Sequence, residues 1–390
     1  MTSAALDRLG YVLIAACLGL IQLNIILGQG VLFSLAALVW LAVVIRDKSR
    51  PRLPAFALPL AVYAALTLAS AAFSVDPRAS FVDSRQLFML LMVPIVLQFA
   101  RGERAARAID VIIAIGAAGA VIGIIQYAVL GYDHLEARPR GLLGHYMTYS
   151  GVLMLVACAA VARLLFQPRE WIWPAVAVPA LLVALGVTFT RNAWVGTFLA
   201  VLCLLALRNW KLIFNWKVVL GGLALLALGL AVAPDGIRAR ALSSFNSQDA
   251  TRRDRAAMLE IGKAIVRDHP VFGVGPEMID DVYAQYRPAT AVNPTNPHLH
   301  NVPVQIAAER GLPALAAWLW FVVVALRDLY RQVRRGPAPA VAAAGFAAVV
   351  AMLGAGLFEY NFGDSEFLML LLGLITLPFA AARDRGTSAP

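Results

Sequence analysis

The chain has 390 residues, of which 61% are of apolar types and only 14% are charged, and its mean hydropathy is +0.74. Soluble globular proteins carry about 25% charged residues, so this chain has too little charge to cover a water-facing surface. The composition therefore predicts an integral membrane protein of the all-α class. A formal charge of +10 could suggest nucleic-acid binding, but that function needs a basic face on a soluble surface, and we exclude nucleic acid as a partner.

Apolar stretches long enough to cross a bilayer recur along the chain. A spanning helix takes about 20 mostly apolar residues, and the sequence predicts twelve such helices, with one large polar loop between the ninth and the tenth. The first is expected to be an uncleaved span, because the leading segment lacks the basic region and the apolar length of a signal sequence. The predicted spans are residues 10–27, 29–45, 55–73, 86–100, 108–130, 146–166, 171–189, 193–207, 216–233, 302–326, 338–358 and 366–382.

The distribution of Lys and Arg predicts the orientation, since cytoplasmic loops are enriched in them. With a cytoplasmic N-terminus, the loops on the cytoplasmic side sum to +12 and the opposite side sums to −2. Both termini are then cytoplasmic. Three regions follow: 1–233 with nine helices, 234–301 as an outer loop domain with an amphipathic helix, and 302–390 with three helices and a cytoplasmic tail. All five histidines fall on the outer face, so any chemistry is expected there.

The predicted spans are expected to keep charged side chains away from the middle of the membrane: Asp110 lies at the end of its span, and Glu309 and Arg310 lie within the first nine residues of theirs. Ion-coupled transporters usually carry ionisable groups at that depth, so the sequence disfavours transport. A facilitative transporter whose pathway has no charged groups remains an alternative. The three cysteines lie in apolar runs and are interpreted as packing residues.

Two basic turns precede the long loop. The first runs from Arg138 to Tyr146 and contains Arg140 and His145. The second is the short turn at Arg191 between two apolar segments. This arginine suits two roles that the sequence leaves open, an anchor to lipid headgroups or a bidentate donor to phosphate oxygens.

An amphipathic helix is predicted after Thr251, because positions 258, 261, 262, 265 and 266 are apolar or small at helical spacing. Thr251 and Asp254 are placed for an arrangement close to a capping box. Arg252, Arg253 and Arg255 stand in the first turn, where the helix dipole disfavours positive charge. A bound anion would offset that mismatch, and intrahelical ion pairs are the alternative explanation.

The most concentrated polar signal is the segment with His298, His300 and Asn301, just before the apolar run that begins at Val302. A histidine at the membrane surface can accept a proton at neutral pH, which fits a general base. It also fits an interfacial residue at a helix start. A metal pair of His298 and His300 is a third interpretation, but further ligands are not close in the sequence, and no metal is predicted.

Several glycine-rich and aromatic segments complete the pattern. The segment Gly273–Pro276 is interpreted as a tight turn, since it lacks the third glycine and the strand–helix context of a dinucleotide-binding loop. The last outer loop, Phe358–Glu366, contains Tyr360 and is dense in aromatic and acidic groups. That composition suits carbohydrate binding as well as an ordinary interfacial belt. Arginines near a candidate base suit a reaction of a lipid-linked diphosphate. The base takes the proton of an acceptor hydroxyl, and the arginines neutralise the leaving diphosphate.

These motifs, in this order, resemble the O-antigen ligase/polymerase superfamily, membrane glycosyltransferases of bacterial lipopolysaccharide assembly. The resemblance covers roughly residues 138–370 and rests on Thr190-Arg191, Asp254-Arg255, Asp268–Pro276, His298–Asn301 and Ala308–Leu312. It implies a GT-C-like fold in the inner membrane with a periplasmic site, and a metal-independent inverting transfer without a cofactor. The implied donor is a glycan on undecaprenyl diphosphate. The implied acceptor is a lipid A–core sugar hydroxyl in ligases, or another lipid-linked glycan in polymerases.

Carried over by position, the resemblance implies that His300 is the general base and that Arg191 and Arg255 contact the diphosphate. The other residues expected to bind substrate are Arg252, Arg253, His298, Asn301, Arg140, His145, Arg310 and Tyr360. Leu315 stands where some ligases have a small or aromatic residue, which weakens the ligase-specific match. We expect an O-antigen ligase; the alternatives are a polymerase, a protein O-oligosaccharyltransferase of the same superfamily and, from another class, a polytopic transporter.

Overall fold

A computed structural model describes residues 2–23, 26–47, 52–167, 172–217, 220–221, 236, 238, 250–289 and 291–383. Within these ranges every regular element is a helix, and the described residues form no β-strand. This confirms the all-α class. The predicted ninth span, 216–233, and the first part of the loop, up to residue 249, lie almost entirely outside the described residues.

The first nine α-helices precede the long loop, and short stretches of other helix types join some of them. A π-helical stretch, Ile26–Phe33, leads into the second helix, and a 3-10 stretch, Ser84–Leu91, joins the fourth to the fifth. The nine are α1 (Ser3–Leu20), α2 (Ser34–Asp47), α3 (Ala57–Ala72), α4 (Pro77–Asp83), α5 (Met92–Phe99), α6 (Glu103–Ala128), α7 (Tyr146–Phe166), α8 (Ile172–Val187) and α9 (Arg191–Asn209).

Five further helices form the part of the chain that carries the candidate site. They are α10 (Ala250–Asp268), α11 (Ile279–Tyr286), α12 (Val302–Arg335), α13 (Pro339–Gly356) and α14 (Ser365–Ala381). One apolar core joins helices from both halves of the chain, with α13 packed against α7, α9, α12 and α14. A smaller apolar cluster lies among α10, α11 and the start of α12.

The helices of the described ranges overlap eleven of the twelve predicted spans. Eight stretches are long and apolar enough to cross a membrane: Ser3–Leu20, Ile26–Asp47, Pro77–Phe99, Glu103–Ala128, Tyr146–Phe166, Arg191–Leu212, Val302–Arg335 and Pro339–Gly356. Three shorter apolar helices, α3, α8 and α14, coincide with further predicted spans. These helices define a multi-pass membrane protein.

A backbone kink at Gly311 divides α12. Gly311 has φ 81° and ψ 169°, and this left-handed conformation is accessible to glycine without steric cost. The segment around Gly273 fills the space beside the kink: the amide of Val274 donates to the Ala308 carbonyl at 3.0 Å, and that of Gly275 donates to the Glu309 carbonyl at 2.9 Å. The predicted tight turn is therefore also a packing element, and its Gly273 lets two backbones approach closely.

The same segment is tied to α3. The hydroxyl of Ser70 donates to the carbonyls of Phe272 and Glu309 at 2.6 and 2.9 Å. The rings of Phe73 and Phe272 stack with their centres 4.3 Å apart. The polar segment that precedes α12 is thus fixed to the membrane helices through several contacts.

Two details of the sequence interpretation are wrong. Asp254 does not complete a capping box; its carboxylate accepts hydrogen bonds from the amide and side chain of Asn293, at 3.2 and 2.7 Å. Asp110 does not lie at a helix end, because α6 begins at Glu103. It lies two turns inside and forms a bidentate ion pair with the buried Arg163 of α7.

Candidate active site

Two histidines and a glutamate from distant parts of the sequence meet beside the start of α12. The Nδ1 atom of His300 lies 2.8 and 2.9 Å from the two carboxylate oxygens of Glu359. The Nε2 atom of His298 lies 3.4 Å from one of those oxygens. The two rings pack edge to face with centres 4.4 Å apart. Glu359 comes from the loop between α13 and α14, so this cluster joins two segments that sequence analysis treated separately.

The local backbone explains why His300 can reach that position. His300 has φ 48°, an uncommon conformation for a residue with a side chain, and such strain is typical of functional sites. Asn301 follows as the N-cap of α12, and its side-chain oxygen accepts from the amide of Val304 at 3.0 Å. Its side-chain amide donates to the Leu357 carbonyl at 3.0 Å. Asn301 therefore starts the helix and links it to the loop that carries Glu359.

The electrostatics of the cluster favour an ionised Glu359. Burial acts to raise the pKa of this carboxyl, but the hydrogen bonds from His298 and His300 outweigh it and hold the pKa well below its usual range. Burial likewise acts to lower the pKa of His298, but the hydrogen bond and charge of Glu359 reverse the effect, helped by the charges of Glu277 and Glu309, so the net pKa is raised. An ionised carboxylate accepts a hydrogen bond from the Nδ1–H group of His300, which leaves the lone pair on Nε2.

These three side chains also meet the spacing requirement of a metal site, since their ligand atoms lie within 4.8 Å of one another. The third ligand that the sequence did not reveal is Glu359. The contact between His300 and Glu359 is nevertheless a hydrogen bond: neighbouring ligands of a tetrahedral zinc ion lie about 3.3 Å apart, and the observed distances of 2.8 and 2.9 Å are shorter.

A cavity of about 260 Å³ opens next to this cluster. His298, Glu359 and Tyr360 form part of its wall, and His145 stands on another side. The polar lining is completed by Gln86, Thr148, Glu277, Gln305, Asn361 and Asp364. Hydroxyl groups are both donors and acceptors, and this lining supplies partners of both kinds. A cavity of this size and polarity can hold one sugar ring.

A buried ionic cluster supports the cavity wall from behind. Glu309 and Arg310, on α12 just before the kink, form an ion pair, and Arg310 also donates to the Tyr360 hydroxyl at 3.1 Å. Gln305 donates to Glu309 at 2.7 Å. Arg310 lines a second cavity of about 30 Å³ next to Tyr360. The predicted binding residue Arg310 therefore lies behind Tyr360, which reaches both cavities.

The backbone at Glu277 adds a second strained position to the site. Glu277 has φ 63°, and its amide donates to the carboxylate of Glu309 at 3.1 Å. Burial raises the pKa of the Glu277 carboxyl, and the nearby charge of Asp83 raises it further. Glu277 lines the cavity together with His298.

The basic turn, residues 138–146, lies on the side of the cavity where His145 stands. The rings of His145 and Tyr146 are 5.0 Å apart, and the guanidinium carbon of Arg138 lies 4.2 Å from the centre of the Tyr146 ring. Arg140 is exposed, and its backbone amide donates to the side chain of Gln126 at 2.9 Å. Arg191 begins α9 and is half-buried. Burial lowers the pKa of Arg138, and the positive charge of Arg191 lowers it further.

The arginines of α10 that are predicted to bind the diphosphate are not among the residues that line this cavity. Arg253 is exposed and Arg255 is half-buried in the first turns of the helix. The side chain of Arg252 lies outside what the structure describes. Further along α10, Met258 and Ile261 belong to one apolar cluster with Leu299, which lies between the two histidines in the sequence. The helix is thus anchored to the segment that carries His298 and His300.

Sequence reasoning missed Glu359, Glu277, Thr148 and Asp364 as site residues. Glu359 and Asp364 belong to a loop whose composition was noticed, but nothing in the sequence tied that loop to His300, 59 residues earlier. Thr148 donates to Asp364 at 2.5 Å. That contact depends on the packing of α7 against α14, which no local pattern encodes.

The fold and site define a polytopic helical membrane protein with a partly buried acid–histidine cluster beside a polar cavity. Residues 176–319 match the model of the family described as O-antigen ligase. This match includes Arg191, the α10 arginines, both histidines and the kink of α12, and it supports membership of the O-antigen ligase superfamily. No curated protein shows a significant match to the chain.

Proposed function

We propose that the protein is an O-antigen ligase that transfers a polysaccharide from undecaprenyl diphosphate to a sugar hydroxyl of lipid A–core. The observation that carries this proposal is the pairing of His300 with the buried Glu359, which itself lines a cavity that can hold a sugar. A base held by a carboxylate, with arginines on nearby elements, supplies what glycosyl transfer from a diphosphate requires. The match to the O-antigen ligase family supports the proposal.

In the proposed reaction, Nε2 of His300 accepts the proton of the acceptor hydroxyl. The acceptor oxygen forms a bond with the anomeric carbon of the donor, and the bond from that carbon to the diphosphate oxygen breaks. The electron pair leaves with the diphosphate, whose charge Arg191 and Arg255 balance, with Arg252 and Arg253 as neighbours. Attack from the face opposite the leaving group inverts the anomeric configuration.

The other side chains have supporting roles in this proposal. His145, His298 and Tyr360 line the cavity and contact the sugars, and Asn301 holds the His300 segment against the Glu359 loop. Arg310 positions Tyr360 through its hydrogen bond to the phenol oxygen. Arg140 lies on the exposed side of the basic turn, where it can meet the donor or the membrane lipids. In this proposal the helices adopt a GT-C-like arrangement in the inner membrane. The site faces the periplasm, and both termini lie in the cytoplasm.

Deletion followed by gel analysis of lipopolysaccharide tests the function. Loss of a ligase leaves bare lipid A–core and an accumulation of lipid-linked long chains. Loss of a polymerase leaves core bearing a single repeat, and an unchanged lipopolysaccharide ladder with loss of glycan from a protein indicates a protein-directed transferase. Transport of a solute by the purified protein in liposomes without a glycan donor would contradict all three.

A further inference from the structure

Glu277 lies on a turn of the cavity wall that is held by contacts on both sides. Its backbone has φ 63°, and its amide donates to the Glu309 carboxylate at 3.1 Å. The preceding carbonyl, that of Pro276, accepts a hydrogen bond from the Ser80 hydroxyl of α4 at 2.8 Å. The helix α11 begins two residues later, at Ile279. The backbone that carries the Glu277 side chain is therefore fixed before any ligand binds, which lowers the entropic cost of binding.

Three carboxylates are among the described residues that line the cavity, and they differ in their partners. Glu359 is paired with His300. Asp364 accepts a hydrogen bond from the Thr148 hydroxyl at 2.5 Å. The carboxylate of Glu277 forms no hydrogen bond or ion pair with another residue that the structure describes, and its side chain is exposed. Glu277 is thus the carboxylate of this lining that is available to a ligand.

The charge of the lining determines which ligands such a carboxylate can bind. An ionised carboxylate only accepts hydrogen bonds, so it binds hydroxyl or ammonium groups and repels other anions. Among the described residues of the lining there is no lysine or arginine to offset that repulsion. The side chains there that can carry positive charge are histidines, and His298 already lies 3.4 Å from the Glu359 carboxylate. The cavity is therefore unfavourable for a ligand with a carboxylate or a phosphate.

We propose that Glu277 is a specificity-determining residue that restricts the cavity to sugars without an acidic group. Its carboxylate accepts hydrogen bonds from the hydroxyls of the bound sugar and excludes uronic acids and phosphorylated sugars by charge repulsion. The inference rests on the proposed function, because it takes a sugar as the occupant. In that reaction the sugar next to Glu359 and His300 is the acceptor, so the restriction applies to the acceptor sugar.

The test measures binding of three methyl glycosides to the full-length protein in nanodiscs, by titration followed with saturation-transfer NMR. The glycosides differ only at the exocyclic carbon, which carries a hydroxyl in the glucoside, a carboxylate in the glucuronide and an ammonium group in the amino-deoxy glucoside. Burial raises the pKa of the Glu277 carboxyl, and the measurements are therefore made at pH 8, which favours its ionised form. Glycan transfer by the same preparation is measured separately.

Wild-type protein should bind the glucoside at least about 10-fold more tightly than the glucuronide, the effect of two like charges a few ångströms apart in a partly hydrated site. The amino-deoxy glucoside should bind at least as tightly as the glucoside. Raising the salt concentration from about 0.05 to about 0.5 M should reduce the preference for the glucoside over the glucuronide, because salt screens accessible charges. This comparison needs no variant.

The variants Glu277→Gln and Glu277→Asn remove the charge, and asparagine also tolerates the positive φ of this position. Both should bind the glucoside and the glucuronide within about 3-fold of each other. Glu277→Asp keeps the charge and should keep most of the preference. Glu260→Gln is the matched control, because Glu260 is an exposed carboxylate of α10, and its preference should equal that of the wild type. Thermal unfolding of each variant verifies that the protein is folded.

The outcomes separate this inference from the proposed function. Equal affinity of the wild type for the glucoside and the glucuronide, or binding of neither, overturns the restriction, as does a preference that salt leaves unchanged. A preference that persists in a folded Glu277→Gln or Glu277→Asn protein overturns the role of Glu277. Wild-type protein that prefers the glucoside but does not transfer glycan contradicts the proposed function and leaves the selectivity in place.

Discussion

Glu359 and His300 form a partly buried acid–imidazole pair in which both carboxylate oxygens lie within 2.9 Å of the same ring nitrogen. The carboxylate fixes the ring and its tautomer, because only Nδ1 can donate to it. The other nitrogen, Nε2, then has the lone pair that a base needs. In the proposed reaction Glu359 is a positioning residue, since it acts through His300.

Glu359→Gln should lower transfer at least about 10-fold while the protein stays folded, because an amide can present its NH₂ group to the ring and stabilise the wrong tautomer. The measurement is transfer by purified protein from a lipid-linked donor to lipid A–core, reported as kcat and KM. A positioning role predicts a fall in kcat with a smaller change in KM.

Glu260→Gln is the control for this experiment, since Glu260 is an exposed carboxylate on α10. Its kcat should equal that of the wild type. A Glu359→Gln enzyme with wild-type kcat would show that the carboxylate only stabilises the loop.

The two histidines should differ in their effects. His300→Gln removes the proposed base and should reduce transfer about 10²- to 10⁴-fold. His298→Gln keeps the His300–Glu359 pair and removes a residue of the cavity wall, so a smaller loss, mainly in KM, is expected. Comparing the pH dependence of kcat/KM in the two variants decides the assignment. If His298→Gln is the more severe change, the base is His298.

Several features could be predicted from the sequence because each has a local cause. Continuous apolar runs predicted the helices, and α7 lies at residues 146–166 as expected. The N-cap role of Asn301 follows from its position before an apolar run. The predicted closeness of His298 and His300 to a helix start is also correct, because the whole motif lies within a few residues.

The rest of the site depends on contacts between distant segments. The capping role expected for Asp254 failed because Asn293, 39 residues later, offers two donors. The pairing of Glu359 with His300 requires α12 and α13 to pack together. Likewise, the predicted tight turn gave no sign that Gly273 packs against the backbone of Glu309, since a glycine-rich turn and a close backbone contact look alike in a sequence.

The stabilising effect of Glu359 should depend on pH through His298. The pKa of His298 in the folded protein is raised above 6.5. The contribution of protonated His298 to the free energy of unfolding is therefore fully present below pH 6.5 and is lost as the pH rises through that folded-state pKa. The pKa of Glu359 is lowered from 4.5, so its contribution is present above that pH and declines only in strong acid. The difference in free energy of unfolding between wild type and Glu359→Gln should thus be about 1–3 kcal/mol at pH 5.5 and smaller at pH 9.

Thermal unfolding in detergent at a series of pH values measures this difference. In a His298→Gln background, the effect of Glu359→Gln should lose most of its variation between pH 5.5 and 9. A difference that grows toward pH 9 would contradict the assigned direction of the His298 shift.

Transfer should persist in the presence of a chelator. His298, His300 and Glu359 could approach a metal ion, yet the hydrogen bonds between His300 and Glu359 already satisfy both groups. We therefore expect equal rates with and without EDTA, measured with the purified enzyme. Loss of activity in EDTA that Zn²⁺ restores would assign these three side chains to a metal site instead.

Gly311→Ala should destabilise the protein by about 1–3 kcal/mol or more, because φ at this kink is 81° and such a conformation strains any residue with a side chain. A Cβ atom at residue 311 would also collide with the carbonyl of Val271, so relief requires the Val271 segment to move away from α12. Since Glu309 and Arg310 adjoin the kink and support Tyr360, transfer should fall together with the unfolding temperature. Gly186→Ala in α8 is the matched control, because open space surrounds that glycine, and an unfolding temperature for Gly311→Ala equal to that of this control would contradict the steric argument.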